Sequence, residues 1–283
     1  MKIKKCIIPI AGKGTRRLPI TKSVSKEMLP ILNEPTIMLL VKECLLSGIK
    51  EIVFVVNEDN YKMIEEFFTR NIELENFLKE NNKLDILNDL NEIIDNIKFN
   101  YVIQDENIRG TSGAIYAAKK FIENNEYFSV IFGDDLIDSE EPYLKTLINE
   151  HEKYNCNVIG VKEIEEKYKN YYYKIKYKQD NVMDKFVGSN ELIDSSNHMM
   201  LGRLILHGTI LDKLITCKCH DNNEYFISDA LISLNEEIRC VLCDGIYYNT
   251  GNLLEHLKAN IAYGLKDDKI KEELLNYIKE QIK

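Results

Sequence analysis

The sequence holds no apolar run that approaches the ~20 residues of a membrane-spanning helix, and no low-complexity stretch interrupts it. Its start, "MKIKKCIIPIAG", has basic residues and a short apolar segment. It lacks a long apolar region followed by a small-residue cleavage site, so no secretion leader is expected. Basic charge is in deficit: 37 Lys and Arg against 46 Asp and Glu give a formal net charge of −9. A general nucleic-acid binder shows a basic face, so that class is excluded. No Gly-x-Ser-x-Gly elbow is present, which removes a Ser-His-Asp hydrolase of that kind. Seven cysteines, an odd number, suit a reducing cytoplasm better than a disulfide framework, and a cytoplasmic location is expected.

What remains reads as a folded α/β protein. Hydrophobic residues make up 45% of the 283, enough to bury a substantial core. The Ile- and Val-rich runs "KKCIIPI" and "EIVFVV" read as buried parallel strands. Between them, "TIMLLVKECLLSG" reads as an amphipathic helix ended by glycine. The alternation recurs with strands "IKFNYVI" and "YFSVIFGDD", a helix around 114–122 and the helix "EPYLKTLINEHEKY". This pattern predicts a mostly parallel sheet with helices on both faces. An acidic helical insertion, about 58–95, interrupts it. The second half continues with "NVIGVKEI", a tyrosine-rich segment, "HMMLGRLILHG", the helix "YFISDALISLNEE", the strand "IRCVLCDGIYYN" and a helical tail over 253–283. One continuous domain over 1–283 is expected.

The chemistry concentrates in "AGKGTRRLPITKSVSKEMLP", residues 11–30, where an apolar strand gives way to two glycines and five basic residues. In an acidic chain, a local basic loop points to a small anionic ligand. Backbone N–H groups exposed after a strand form an anion-binding nest, and glycine lets a phosphate approach them. The letters "GKGT" do not make a Walker loop, which needs four residues between its glycines. The dinucleotide fingerprint also fails, because Arg17 stands where its third glycine belongs.

The full spacing G-x-G-T-R-x-L-P-x-T-K, followed by "KEMLP", resembles the sugar-1-phosphate nucleotidylyltransferases, and among them the bacterial UTP–glucose-1-phosphate uridylyltransferases (UDP-glucose pyrophosphorylases). The resemblance implies a Rossmann-like three-layer sandwich with a mostly parallel mixed central sheet, of the nucleotide-diphospho-sugar transferase type. It implies in-line attack of a sugar 1-phosphate, glucose 1-phosphate foremost, on the α-phosphorus of UTP with Mg²⁺, releasing pyrophosphate. The phosphates carry several negative charges, which a basic loop and a metal must neutralise. By this resemblance Arg16, Lys26 and Lys185 are the catalytic cations. Ala11, Gly12, Gly14, Thr15, Glu27, Gln104, Gly110 and Asp134 form the nucleotide site, and Asp135, Tyr172, Asp184 and Gly202 the sugar site. The metal falls to Asp134 of "FGDD" and Asn249 of "NTG". The resemblance also implies a homodimer or homotetramer, without nucleic-acid or membrane partners. It extends through the insertion, "RGTSGAIYAA", "SSNHMMLGRLIL", "NEYFISDAL" and "YYNTGNLLEHLKA", nearly the whole chain.

Four departures from the family pattern matter. Tyr171-Tyr172 stands for a Tyr-Gly, and Asp184-Lys185-Phe186 for a Glu-Lys-Pro. Gly110-Thr111-Ser112-Gly113-Ala114 replaces a Gly-Leu-Gly-His-Ala in the base-reading segment. The sharpest is Asn249 for the second metal aspartate, since Mg²⁺ favours carboxylates alongside substrate phosphates. On one continuous strand, Asp244 would lie about 16 Å away and on the opposite face, too far to substitute. Asp135 adjoins Asp134 and is expected to point away from it.

Two function classes therefore stand side by side: an active uridylyltransferase, for glucose 1-phosphate or another sugar, and a weakened paralogue that binds nucleotide as a sensor or regulatory subunit. A zinc site on Cys217, Cys219, His220, Cys240 and Cys243 is set aside. The strand reading puts Cys240 and Cys243 on opposite faces, and buried cysteine ordinarily serves as a small hydrophobe. His151, His198, His207 and His256 read as packing or surface residues.

Overall fold

The computed structural model describes residues 2–165, 173–187, 196–234 and 236–282. The expected alternation begins at the first strand: β1 (Lys5–Pro9), α1 (Thr36–Leu46) and β2 (Glu51–Val56). The insertion supplies α2 (Glu58–Phe67), α3 (Ile72–Glu80) and α4 (Asn88–Asn96) before β3 (Lys98–Ile103). Then come α5 (Gly110–Ala117), β4 (Tyr127–Ile131), the short strand β5 (Asp135–Asp138), α6 (Tyr143–Tyr154) and β6 (Asn157–Glu163). The hairpin β7 (Lys174–Tyr177) and β8 (Met183–Val187) precedes β9 (His198–His207) and α7 (Ile227–Ile232). Strands β10 (Ile238–Leu242) and β11 (Ile246–Asn249) lead to α8 (Leu253–Gly264) and α9 (Lys271–Gln281). Among the described residues, no helix is long and apolar enough to cross a membrane.

The main sheet has seven strands in the order β10-β6-β9-β4-β1-β2-β3. All neighbours run parallel except β9, which is antiparallel to both β4 and β6. Alternation along β1 and β2 divides the core between the two faces. Cys6, Ile8, Ile52, Phe54 and Val56 pack with α1, α2, α4 and α6 on one side. Ile7, Val53 and Val55 pack with α5 and α7 on the other. Burial on both faces accounts for the unbroken apolar runs of these strands.

Three readings from the sequence are corrected. The run "IRCVLCDGIYYN" is two strands in two sheets: β10 closes the main sheet, while β11 pairs antiparallel with β5, Asn249 opposite Asp135. Asp-Gly is a turn dipeptide, and Asp244-Gly245 breaks the run; a Cβ on Gly245 would lie 2.8 Å from the Asp138 carbonyl oxygen. The distance argument for Asp244 lapses with that strand. The helix expected over 225–237 is the six residues of α7, and the one expected around 114–122 starts earlier, at Gly110.

One buried ion pair joins four elements. Arg203, on β9, is fully buried and donates to both Glu43 oxygens of α1, at 3.0 and 2.8 Å. Its other N–H groups reach the Gly202 carbonyl at 3.0 Å and the Asp135 carbonyl, on β5, at 2.8 Å. Glu43 also accepts from the Leu144 amide, 2.9 Å away in the first turn of α6. Burial disfavours the charge on the guanidinium; Glu43 outweighs it and raises the Arg203 pKa. Removing one partner of such a pair strands the other charge. We expect Arg203→Met to lose about 3–5 kcal/mol of unfolding free energy in urea titrations; a loss below about 1 kcal/mol would contradict this account.

Candidate active site

The glycine loop leaves β1 at the carboxyl end of the sheet, where ligands of open α/β folds bind. Its geometry is set by the start of α2. Asn57 and Asn60 cap that helix reciprocally, each side chain accepting the other's backbone N–H at 2.9 Å. Their amide groups then donate to the loop carbonyls, Asn57 to Ala11 at 2.9 Å and Asn60 to Ile10 at 2.7 Å. With the carbonyls drawn inward, the N–H groups of Gly12, Lys13 and Gly14 take no acceptor among the described residues. Gly14 has φ 61°, the left-handed region, and Thr21 donates to its carbonyl at 2.8 Å. A Cβ on Gly12 would meet nothing nearer than Lys26 Cε at 3.9 Å. The protein itself does not demand glycine there, and the backbone is left open.

Charge gathers at Asp134, just past β4. Lys26 Nζ lies 2.7 Å from its Oδ2 and 3.6 Å from Glu27 Oε1, and Arg16 Nη2 lies 3.7 Å from the same Asp134 oxygen. Burial disfavours the Lys26 ammonium, but Asp134 and Glu27 outweigh it and hold the pKa above its usual value. Thr15 opens the 3-10 turn that carries Arg16 and Arg17. Arg17 Nη2 lies 3.2 Å from His256 Nδ1, which ties this loop to α8.

Opposite Asp134 stands the β5–β11 ribbon. Thr250 donates its backbone N–H (2.8 Å) and its hydroxyl (3.1 Å) to the Asp134 carbonyl. A Cβ on Gly251 would lie 2.8 Å from Asp134 Oδ2, 3.0 Å from Asn249 Oδ1 and 3.1 Å from Arg16 Nη2. Three polar groups thus converge on one point that only glycine leaves open. Asn249 Oδ1 is buried without a hydrogen-bond partner. An acceptor left so, beside a carboxylate, fits a hard cation that takes further oxygens from phosphate and water, as Mg²⁺ does.

The main cleft, of about 720 Å³, is lined by Ala11, Gly12, Lys13, Arg16, Lys26 and Asp134 on one side and by Gln104, Arg109, Gly110, Thr111 and Phe226 on the other. Gln104 Nε2 donates to the carbonyls of Ile108 (2.9 Å) and Gly110 (3.4 Å). Gly110 has φ 82°, and a Cβ there would come within 2.4 Å of the Tyr225 carbonyl oxygen, so a side chain is excluded. A recess of about 170 Å³ is lined by Arg16, Lys162, Glu163, Met199, Tyr247, Asn249, Asn252 and Glu255. A lysine-rich depression of about 540 Å³ is lined by Lys2, Lys4, Lys50 and Lys98, residues at or before the amino ends of the strands, away from the loop.

Several expected residues are placed otherwise. Glu27, expected at the nucleotide, is 1% exposed beneath the loop, with Ser25 donating to its Oε2 and no hydrogen bond to its Oε1. Asp135, expected at the sugar, is turned inward: Gly202 N donates to its Oδ2 at 2.7 Å and Tyr247 to its Oδ1 at 2.9 Å. Burial, then Asp134, push its carboxyl up to about 6. Gly202 meets the Phe132 ring instead of a ligand; a Cβ there would sit 2.4–2.6 Å from Phe132 carbons. Asp184 and Lys185 lie on the β7–β8 hairpin and line neither cavity. Tyr172 lies outside the described residues. Sequence reasoning missed Asn57, Asn60, Lys162, Tyr247 and Thr250. Only the first two had a signal, an asparagine at the N-cap of a helix and a second three residues on, the spacing of a capping box. Among the described residues, no group of three or more His, Cys, Asp or Glu is placed to hold a metal, Cys217, Cys219 and His220 included.

The chain is similar over most of its length to known proteins. The family model described as Nucleotidyl transferase matches residues 5–266. The chain is 39% identical over 288 residues to a UTP–glucose-1-phosphate uridylyltransferase of Staphylococcus haemolyticus, covering 98% of each. It is 37% identical to one from Staphylococcus saprophyticus, covering 99% of each. Among solved structures, an apo UDP-glucose pyrophosphorylase superposes with a TM-score of 0.87 at 32% identity, covering 93% of this chain and 99% of that one. A UTP-bound pyrophosphorylase from Acinetobacter baumannii superposes with a TM-score of 0.88 at 27% identity, covering 98% and 99%.

Glu27 gives the pocket floor a pH signature. Burial raises its pKa from 4.5 to about 7, with Lys26 and Ser25 opposing. A carboxyl whose folded pKa lies above its unfolded value favours folding below the unfolded pKa and loses that contribution as pH rises through the folded one. We expect Glu27→Gln to remove a fall in stability between about pH 4.5 and 7, on the order of 3 kcal/mol. Asp135 contributes equally to parent and variant, so the difference between their Tm-versus-pH curves isolates Glu27. Parallel curves would refute the assignment.

Proposed function

Because the chain belongs to the nucleotidyl transferase family, in its UTP–glucose-1-phosphate uridylyltransferase branch, we propose that this cleft transfers UMP from UTP to glucose 1-phosphate. The products are UDP-glucose and pyrophosphate. The observation that carries this is the meeting of Asp134, Asn249 and Arg16 beside Gly251, with Lys26 on Asp134, at the mouth of a loop whose amides are free.

In this reading the triphosphate lies along the Gly12–Gly14 amides, and Lys26 and Arg16 meet the charge that develops as the bond between the α-phosphorus and the pyrophosphate oxygen breaks. The attacking group is a phosphate oxygen of the sugar 1-phosphate, already anionic, so no general base is needed. Gln104 has committed its NH₂ group to two carbonyls. That leaves Oε1 as an acceptor, the polarity a uracil N3–H requires. Asp134 and Asn249 would hold Mg²⁺, which when bound would supply positive charge to offset that of the phosphates. Thr250, clamped on the Asp134 backbone, keeps the two oxygens facing. The recess beside Arg16 and Lys162 is assigned to the sugar, with Glu163, Asn252 and Glu255 as hydroxyl partners. An assembled clamp supports turnover over a binding-only role.

The test is pyrophosphate release from UTP, glucose 1-phosphate and Mg²⁺. Lys26→Ala should lower kcat/KM by about 10²–10³. A variant that retains parental turnover would remove Lys26 from the chemistry. Lys162→Ala and Lys185→Ala separate the two candidate sugar-phosphate cations. If the recess holds the sugar, Lys162→Ala raises KM for glucose 1-phosphate and leaves KM for UTP unchanged. The same pattern in Lys185→Ala alone would return the role to the hairpin.

A further inference from the structure

An amide at position 249 poses a problem that a carboxylate does not. A carboxylate offers an oxygen either way round, whereas an amide presents oxygen in one orientation and an NH₂ donor in the other. A donor facing Asp134 across the cradle would repel a cation. Something must fix the orientation.

We propose that Tyr247 and Asp135 are positioning residues that hold the Asn249 amide with its oxygen towards the Gly251 cradle, so that a neutral side chain serves as the second protein ligand of a divalent cation. The proposal rests on the uridylyltransferase reading for the use of that cation. Its physical basis is a hydrogen-bond chain with a single polarity. The Asp135 carboxylate accepts only: its Oδ2 takes the Gly202 N–H at 2.7 Å and its Oδ1 takes the Tyr247 hydroxyl at 2.9 Å. A phenol has one proton, and Asp135 claims it. Tyr247 therefore faces Asn249 with a lone pair, and Asn249 Nδ2 donates to it at 3.4 Å.

With Nδ2 committed to that side, Oδ1 points into the cradle. There it is buried and accepts no hydrogen bond, near the point that also lies 2.8 Å from Asp134 Oδ2. A buried acceptor left unpaired lowers stability unless a ligand satisfies it. The chain is anchored at its far end, because Arg203 donates to the Asp135 carbonyl at 2.8 Å and Gly202 N comes from the strand pressed on Phe132. Asp135 and Gly202, expected at the sugar, thus act one step behind the metal.

The test is a four-protein cycle of parent, Tyr247→Phe, Asn249→Asp and the double variant. Free Mn²⁺ is read by electron paramagnetic resonance as protein is titrated in, without nucleotide. We expect Asn249→Asp to tighten Mn²⁺ binding by about ten-fold, since ligand charge sets affinity. Tyr247→Phe should weaken binding about five-fold in the parent, where it frees the amide to flip. In the Asn249→Asp chain it should change affinity by less than about two-fold, because a carboxylate has no wrong orientation. An equal loss in both backgrounds would mean general damage to the ribbon and would overturn the proposal. So would no loss in the parent, or a parent that holds no Mn²⁺. If Asn249→Asp fails to tighten binding while pyrophosphate release persists in the parent, the cation is not at this cradle and UMP transfer stands. If the cycle behaves as expected and no pyrophosphate is released, the cation site stands and the reaction does not.

Discussion

The arrangement depends on a single buried cation. Arg203 is buried against Glu43, and Glu43 is fixed in turn by the first turn of α6. Because the guanidinium also donates to the Asp135 carbonyl, the short strand after Asp134 is located by the core and not by its own two-strand ribbon. A two-stranded ribbon alone is marginal in water. Here it carries both oxygens expected to meet a cation, Asp134 just before β5 and Asn249 at the end of β11. The desolvation of Arg203 and Glu43 is the cost of fixing Asp134 and Asn249 on a ribbon too small to hold them itself.

The free cleft balances its own charges. Asp134 lies within ion-pair distance of Lys26 and Arg16, and no phosphate is needed to keep the lysine protonated. On the proposed reading, a triphosphate entering along the loop would meet these same cations.

Much of the frame was legible because burial leaves a plain imprint. β1 and β2 are apolar without interruption since both faces are covered, and the glycine loop stands out by spacing alone. The misreadings share a cause: the sequence shows a residue's type but not which way it faces. Asp135 was expected at the sugar, yet it is turned inward onto Gly202 N and Tyr247. Gly202 looked like bare backbone for a sugar and is bare for Phe132. Lys185 sat in the expected motif, while Lys162, on a strand read only for its hydrophobicity, lines the recess. The break at Asp244-Gly245 was visible as a turn dipeptide but was outweighed by the apolar letters on either side.

The insertion is more than an ornament on the sheet's edge. It is held by Arg70, which bridges Glu75 at 2.5 Å and Asp95 at 3.0 Å, and by Lys42 of α1 reaching Asp89 at 2.8 Å. Its first helix begins at the two asparagines that draw the Ile10 and Ala11 carbonyls away from the cleft. Backbone groups come in pairs, and turning the carbonyls inward leaves the following amides to face outward. The polarity of the glycine loop is thus set by a helix cap belonging to the insertion. A change that frays α2 would disturb the loop without touching any residue in the cleft's basic wall. The insertion and the glycine loop, 40 or more residues apart in sequence, behave as one unit of the site.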